Sequence, residues 1–202
     1  MNLKNKIAVV TGGSSGIGRA ISVALAQQGC KVVFTYNFSE EGAKETLRLL
    51  GKNGNKYKVD LCNEKEIEGL FDFVKKEFGE LNILVNNAGA NRPRDFFDTE
   101  VWREIFQVNL FATVYCADKA VKLMKNGGKI LNISSVYADG KACWKGLPAY
   151  GAAKAAVSHF TQTLAKNLAP KILVNAIAPG YVRTPLWKDT SEEGFKESGK
   201  EQ

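Results

Sequence analysis

The chain has 202 residues, of which 45% are hydrophobic, and this is enough for one sizeable core in a single domain. No apolar run approaches the ~20 residues of a membrane span, and the chain enters its first predicted strand without a signal sequence. The net charge of +7 comes from Lys and Arg scattered among Asp and Glu, which is typical of a solvated surface. We therefore expect a cytoplasmic protein with no membrane and no nucleic-acid partner.

The cysteine and histidine spacing argues against a metal site. No Cys-x-x-Cys pair occurs, and His159 is the only histidine. The widely separated cysteines are Cys30, Cys62, Cys116 and Cys143. We expect free thiols and no bound metal.

The first predicted strand, Ile7 to Val10, runs into the glycine-rich segment Thr11 to Gly18, after which a helical pattern continues to a stop at Gly29. Missing side chains let such a turn approach a pyrophosphate closely, and the amides and dipole of the following helix favour the anion. A glycine turn by itself can be purely structural. Its place between a buried strand and a helix predicts a dinucleotide site.

Strand and helix patterns then alternate to the end of the chain. Further strands are predicted at Lys31 to Thr35, Lys56 to Val59, Ile83 to Val85, Ile130 to Ile133 and Ile172 to Ile177. Helices are predicted from about Ser39, from Ile67 to Phe78, from Trp102 to Met124, and from Pro148 to a stop at Pro170. We predict an α/β fold, a Rossmann-like doubly wound parallel sheet of about six strands with helices on both faces. We expect residues 1–202 to form one dinucleotide-binding domain with a built-in active site, in which residues 185–202 are a polar tail.

Two polar residues stand where a site could use them. Asn109 falls on the apolar stripe of the helix from Trp102 to Met124, so its amide must bond either to backbone or to a site. Ser135 follows the strand that ends at Ile133, at the edge where open parallel sheets bind ligands. A structural amide and a plain turn serine are the alternatives.

The strongest chemical signal is Tyr150 with Lys154, one turn apart on one helix face. A fixed ammonium near a phenol favours the phenolate and lowers the phenol pKa from about 10. Such a tyrosine donates a proton in a reduction and accepts one in the reverse reaction. By itself, Tyr-x-x-x-Lys is more often a surface pair on an amphipathic helix.

Together these segments resemble the short-chain dehydrogenase/reductase family, in the branch that includes 3-oxoacyl-acyl-carrier-protein reductases. The resemblance runs from the first strand to about Trp187 and rests on Thr11 to Gly18, Asn86 to Gly89, Asn109, Ser135, Tyr150 with Lys154, and Pro179-Gly180. It implies an NAD(P)H-dependent oxidoreductase that reversibly reduces a ketone or 3-oxoacyl carbonyl, of a small molecule or an acyl-carrier substrate.

The resemblance also implies residue roles. Tyr150 gives its proton to the carbonyl oxygen, Ser135 orients that oxygen, Lys154 holds the nicotinamide ribose, and Asn109 positions a water that relays protons. Within the cofactor set, the glycine segment holds the pyrophosphate, Asp60 and Leu61 the adenine, Asn87 to Gly89 the ribose, and Val182 and Thr184 the carboxamide. The expected cofactor contacts are Gly12, Ser14, Ser15, Gly16, Ile17, Gly18, Tyr36, Asn37, Asp60, Leu61, Asn87, Ala88, Gly89, Tyr150, Lys154, Pro179, Gly180, Val182 and Thr184.

The end of the second strand bears on the choice of cofactor. An NAD enzyme places an acid there, about 20 residues after the glycine loop, whereas this chain has Tyr36. Asn37 and Ser39 could donate to a 2′-phosphate, and Arg19 could add a charge. Ser15 stands where many NADP enzymes of the family carry Lys or Arg. We favour NADP(H) and keep NAD(H) as the alternative.

The chain departs from the family's pattern in two places. Family members continue with a further helix and strand, whereas Ser191 to Gln202 is polar, so the sequence is either a fragment or is completed by a partner at the edge strand. The loop from Val136 to Ala149 is longer than expected, and we expect it to shape the pocket. Arg92 and Arg94 could meet an acidic carrier protein or be plain surface. Trp144 and Trp187 could line a pocket or pack in the core.

Two further expectations concern assembly and an alternative function. The family resemblance implies a homodimer or homotetramer through the helices of Asn109 and Tyr150, and apolar outer faces at Phe111, Tyr115 and Phe160 favour such a contact. The alternative function is a cofactor-binding, non-catalytic regulator on the same fold.

Overall fold

The computed structural model describes residues 2–92, 96–139 and 146–185. Six parallel strands form one sheet in the order β3-β2-β1-β4-β5-β6, which confirms the predicted doubly wound α/β fold. The strands are β1 (Ile7–Val10), β2 (Lys31–Tyr36), β3 (Gly54–Lys58), β4 (Ile83–Asn86), β5 (Gly128–Ile133) and β6 (Ile172–Ile177). Their order reverses direction between β1 and β4, and crevices for ligands open at such a point.

Helices cover both faces of the sheet. They are α1 (Gly16–Gln27), α2 (Glu40–Leu50), α3 (Glu64–Phe78), α4 (Thr99–Phe106), α5 (Ala112–Leu123) and α6 (Pro148–Leu168). Val9 of β1 packs in the cluster with α3, α5 and α6, whereas Val10 packs in the cluster with α1 and α2. Because successive strand side chains point to opposite faces, a strand covered on both sides needs an uninterrupted apolar run.

Local signals set the helix ends. Ser39 caps α2 by accepting from the Gly42 N–H, and Gly79 ends α3 in the left-handed conformation with φ +76°. Pro148 begins α6, and the helix stops before Pro170, as predicted.

The helix predicted from Trp102 to Met124 is not continuous. α4 passes into a π-helical turn, Gln107–Phe111, before α5 begins. The side chain of Asn109 donates to the Ile105 carbonyl at 2.9 Å, so it takes the acceptor that the Asn109 N–H would use in a regular helix. The prediction of a single α-helix was wrong at this point.

Strand boundaries differ by a few residues from the predictions. β3 begins at Gly54 rather than Lys56 because its register with β2 pairs Gly54 with Val32. Among the described residues, no strand pairs with the outer edge of β6, where Leu173 and Ile177 are 48% and 50% exposed. Within the same part of the chain, no helix has the length and apolarity needed to cross a membrane. Apart from Pro185, the predicted tail lies outside the described residues.

Candidate active site

A cavity of about 910 Å³ opens at the carboxyl ends of the strands, where the sheet reverses its order. This volume is near the upper end of the ~300–1,000 Å³ usual for ligand sites. Every residue predicted to contact the cofactor lines this cavity, and so does Ser135. Asn109 does not line it, because its side chain is completely buried beneath the wall.

The glycine loop between β1 and α1 lines the cavity. Gly12 and Gly16 have φ of +67° and +52°, a region that side chains disfavour. A Cβ on Gly18 would lie 2.3 Å from the Gly12 carbonyl oxygen, so α1 can approach β1 only with glycine there. Among the described residues, no first-turn N–H of α1 donates to the Ser15 side chain, and no acid lies in that turn. These amides are therefore free to bind an anion.

Side chains that follow β1 and β4 bind this loop on both sides. The Thr11 hydroxyl accepts from the Asn87 and Ala88 N–H groups at 2.9 and 3.0 Å. In return, the Asn87 amide donates to the Thr11 and Gly12 carbonyls at 2.9 and 3.2 Å. The glycine loop and the segment that begins at Asn87 are thus hydrogen-bonded to each other where the strand order reverses.

The cavity end beyond β2 contains Tyr36, Asn37, Phe38 and Ser39. Tyr36 stands at the predicted position, but the structure brings a carboxylate to it that the sequence reading did not foresee. The Tyr36 hydroxyl donates to Glu40 at 2.5 Å. The sequence shows that Tyr36 replaces the acid of an NAD enzyme, but not that Glu40 lies against its hydroxyl.

Arg19 does not supply a charge to the cavity. Its Nη2 donates to the Ser14 and Gly42 carbonyls at 2.5 and 3.1 Å, and its Nε donates to the Thr46 hydroxyl at 2.9 Å. The residue does not line the cavity. Its guanidinium binds the glycine loop to α2, so the expected role at a phosphate was wrong.

Ser135, Tyr150 and Lys154 come together in the wall of the cavity. The Ser134 hydroxyl donates to the Lys154 carbonyl at 3.0 Å, which holds α6 against the end of β5. The Lys154 ammonium donates to the Ile133 carbonyl at 2.8 Å and lies 5.6 Å from the centroid of the Tyr150 ring. Two distant segments, the end of β5 and the first turns of α6, are thereby fixed in one arrangement.

Burial controls the protonation of this pair. Burial raises the pKa of Tyr150 above its ordinary value of 10, while its hydrogen bond with Ser135 lowers that pKa in part. Burial also lowers the pKa of Lys154 to about 8. The expected lowering of the phenol pKa by Lys154 is not found in this structure: loss of hydration raises that pKa, and the hydrogen bond with Ser135 is the contact that lowers it.

Asn109 lies behind Gly89 and carries a buried acceptor. Its Nδ2 donates to the Ala90 and Ile105 carbonyls at 2.8 and 2.9 Å. Within the described chain, its Oδ1 has no hydrogen-bond partner. A Cβ on Gly89 would lie 2.5 Å from that oxygen and 3.5 Å from the Lys154 Nζ. The missing side chain leaves space between Asn109 and Lys154.

Comparison with known proteins agrees with this geometry. The family model described as short chain dehydrogenase matches residues 6–194. The chain belongs to this family, whose members are oxidoreductases. Among curated proteins, it is 38% identical over 199 residues to the 3-oxoacyl-[acyl-carrier-protein] reductase FabG of Vibrio cholerae, covering 96% of this chain and 80% of the relative. It is 37% identical to the hydroxynaphthalene reductase-like protein Arp2 of Metarhizium guizhouense, covering 92% and 72% of the two chains.

Solved structures show the same fold. A mutant of the Serratia marcescens short-chain dehydrogenase/reductase superposes with a TM-score of 0.90 at 30% identity, covering 96% of this chain and 81% of that one. The Thermoplasma acidophilum aldohexose dehydrogenase gives a TM-score of 0.84 at 29% identity, covering 97% and 77%.

Two tyrosines of this short chain dehydrogenase site were missed by the sequence reading. Tyr137 packs edge-on against Tyr150 with ring centroids 6.1 Å apart, and its hydroxyl is hydrogen-bonded to that of Tyr181. Both line the cavity. Their closeness in sequence to Ser135 and to Pro179-Gly180 was the available signal. Because the two tyrosines come from different strand ends, no local pattern shows that they touch.

Of the other residues named from the sequence, the structure describes some and not others. Arg92 lines the cavity and pairs with Glu104 at 2.9 Å, with both side chains more than half exposed. Leu147 is buried immediately before α6. Arg94, Cys143, Trp144 and Trp187 lie outside the described residues.

Proposed function

We propose that this oxidoreductase reduces a ketone or 3-oxoacyl carbonyl to an alcohol with NADPH, and runs in reverse with NADP. The observation that supports it most is that Ser135, Tyr150 and Lys154 share one cavity with a glycine loop and an uncapped helix N-terminus. The FabG relatives are named as 3-oxoacyl-[acyl-carrier-protein] reductases, which suggests the 3-oxoacyl class. Family membership does not favour the non-catalytic alternative.

The cavity residues fit a nicotinamide dinucleotide. The first-turn amides of α1 would take the pyrophosphate, Asp60 and Leu61 the adenine, Asn87 to Gly89 the adjacent ribose, and Val182 and Thr184 the carboxamide. When bound, the nicotinamide supplies the hydride. The protein supplies orientation, a proton and a site shielded from water.

Tyr150 is the proposed proton donor. Its raised pKa keeps the phenol protonated at neutral pH, as a donor in the reductive direction must be. Ser135 hydrogen-bonds the phenol and orients the carbonyl oxygen beside it. Lys154 holds the ribose and offsets the negative charge that Tyr150 develops as its proton leaves.

Asn109 is the proposed holder of a water that returns the proton. Its Oδ1 is buried and has no partner among the described residues, and a buried acceptor of this kind is costly unless it is hydrated. The space left by Gly89 lies between that oxygen and Lys154. A water there would link Lys154 to the proton relay.

Turnover with a panel of carbonyls tests the function. Wild-type protein should oxidise NADPH with short-chain 3-oxoacyl thioesters or simple ketones. Tyr150→Phe should keep NADPH affinity and lower kcat by at least ~10²-fold, the usual share of general acid catalysis. Tyr57→Phe, whose ring contacts Phe73 away from the cavity, is the control and should keep full turnover. Near-normal kcat in Tyr150→Phe contradicts the proposed donor.

We further propose a cytoplasmic, single-domain protein that assembles as a homodimer or homotetramer. Phe111 is 42% exposed and stacks on Tyr115 at 6.5 Å, which leaves apolar surface on the proposed contact face. Tyr115 and Phe160 are partly buried against the main core, so they contribute less surface than predicted.

A further inference from the structure

Three side chains from separate elements meet beside the β2 end of the cavity. Glu40, in the first turn of α2, accepts from the Tyr36 hydroxyl and forms an ion pair with Lys56 of β3. The Lys56 ammonium also lies 5.5 Å from the centroid of the Tyr36 ring. The trio thus joins β2, α2 and β3, and Tyr36 is its cavity-lining member.

Each carboxylate oxygen of Glu40 has a donor. Oε1 accepts a hydrogen bond from the Lys56 ammonium, and Oε2 accepts one from the Tyr36 hydroxyl. Both contacts lower the pKa of Glu40, and the contact with Lys56 is the larger cause. The carboxylate therefore remains ionised, and the adjacent ammonium cancels its charge. Tyr36, Asn37, Phe38 and Ser39 line the cavity, whereas Glu40 does not.

A neighbouring ion pair on α2 is much more exposed to water than the pair of Lys56 and Glu40. Glu41 pairs with Lys44 at 2.8 Å in the same turn of α2, but their side chains are 85% and 59% exposed. The Lys56 and Glu40 side chains are only 29% and 44% exposed. Water therefore screens the first pair more strongly than the second.

We propose that Lys56 is a specificity-determining residue, which neutralises Glu40 and turns its carboxylate away from the cavity so that the site accepts a ribose 2′-phosphate. This inference rests on the proposed use of a nicotinamide dinucleotide. Without Lys56, Glu40 would place an uncompensated negative charge beside the Tyr36 hydroxyl, where it repels a phosphate and can accept from a ribose hydroxyl. Loss of one lysine would then move the preference from NADP(H) toward NAD(H).

Dissociation constants for NADPH and NADH, measured by titration calorimetry without substrate, test the proposal. Lys56→Met should lower the preference for NADPH over NADH by about tenfold, the effect expected of one uncompensated charge near a phosphate. Glu40→Gln in the same chain should restore the preference, because the amide keeps an acceptor for Tyr36 and carries no charge. Lys44→Met is the matched control and should change the preference much less, because Lys44 is hydrogen-bonded to Glu41 and is the smallest of the causes that lower the pKa of Glu40.

The outcomes separate the possible roles. If Lys56→Met weakens both dinucleotides equally, Lys56 is only structural and the proposal fails. If the double variant stays as poor for NADPH as Lys56→Met, the lysine contacts the phosphate directly, and neutralisation of Glu40 is wrong. If wild-type protein binds neither dinucleotide, the proposed function itself fails. Wild-type preference for NADH would overturn only the proposed cofactor, since Lys56→Met must still shift the ratio.

Discussion

Replacement of Lys154 by methionine should stabilise the fold while it abolishes turnover. Lys154 is 4% exposed, and burial lowers its pKa from the ordinary 10.5 to about 8. A shift of this size means that the folded chain holds the protonated amine about 3 kcal/mol less favourably than the unfolded chain does. Methionine fills similar volume and removes that cost. The lost donor to the Ile133 carbonyl offsets about 1 kcal/mol, which leaves a gain of about 2 kcal/mol at pH 7.

The pH dependence identifies the cause. The folded-state pKa lies below the unfolded one, so between about pH 8 and pH 10.5 the unfolded chain binds more protons and wild-type stability rises with pH. Below about pH 8 the free-energy cost of burying the protonated Lys154 amine is fully present, and above pH 10.5 this cost has gone. The stability advantage of Lys154→Met should therefore be largest at pH 7 and shrink toward pH 10.5.

Urea unfolding at a series of pH values measures this difference. Lys129→Met, at an exposed lysine of β5, is the control and should show no such pH-dependent gain. A variant that is less stable than wild type at pH 7, or a stability gap that does not change with pH, would refute the reasoning. The same variant should bind NADPH weakly, because the proposed ribose contact is lost, so stability and function change in opposite directions.

Other substitutions test separate parts of the site. Gly18→Ala should lower NADPH affinity by roughly tenfold or more in calorimetry, since its Cβ meets the Gly12 carbonyl at 2.3 Å; unchanged affinity would contradict the tight loop. Tyr36→Asp should raise the kcat/KM ratio for NADH over NADPH, and a ratio that stays the same would show that this position does not face the ribose. Sedimentation at micromolar concentration should show a dimer or tetramer, and a monomer alone would contradict the predicted interface.

Much of the fold could be predicted because its signals are local. Uninterrupted apolar runs such as Val9 and Val10 of β1 require cover on both faces, which implies a parallel sheet between helices. Glycines at positions of positive φ and the proline at the start of α6 set turns and ends through their own backbone preferences. The resemblance to the short-chain dehydrogenase/reductase family supplied the expected cofactor contacts. These residues line one cavity because parallel strands bring their carboxyl ends to one edge of the sheet.

Contacts between distant residues were decided only by the tertiary structure. Arg19 was expected to meet a phosphate, but carbonyl groups of the glycine loop and α2 take up its guanidinium. Glu40 contacts Tyr36, which lies only four residues before it, but its ion pair with Lys56 forms because β3 pairs beside β2 in the sheet. Periodicity shows which face of a helix is buried, but it carries no information about which side chains meet across elements.

The protonation of Tyr150 and Lys154 also depends on the tertiary structure. Tyr150 and Lys154 are one helical turn apart, and their spacing alone led to the expectation of a lowered phenol pKa. The structure buries Lys154 and partly buries Tyr150, so the pKa of Tyr150 rises and that of Lys154 falls to about 8. The sequence determines which groups are neighbours along a helix, but the amount of water around them depends on the whole fold, because hydration is removed by every element packed against them.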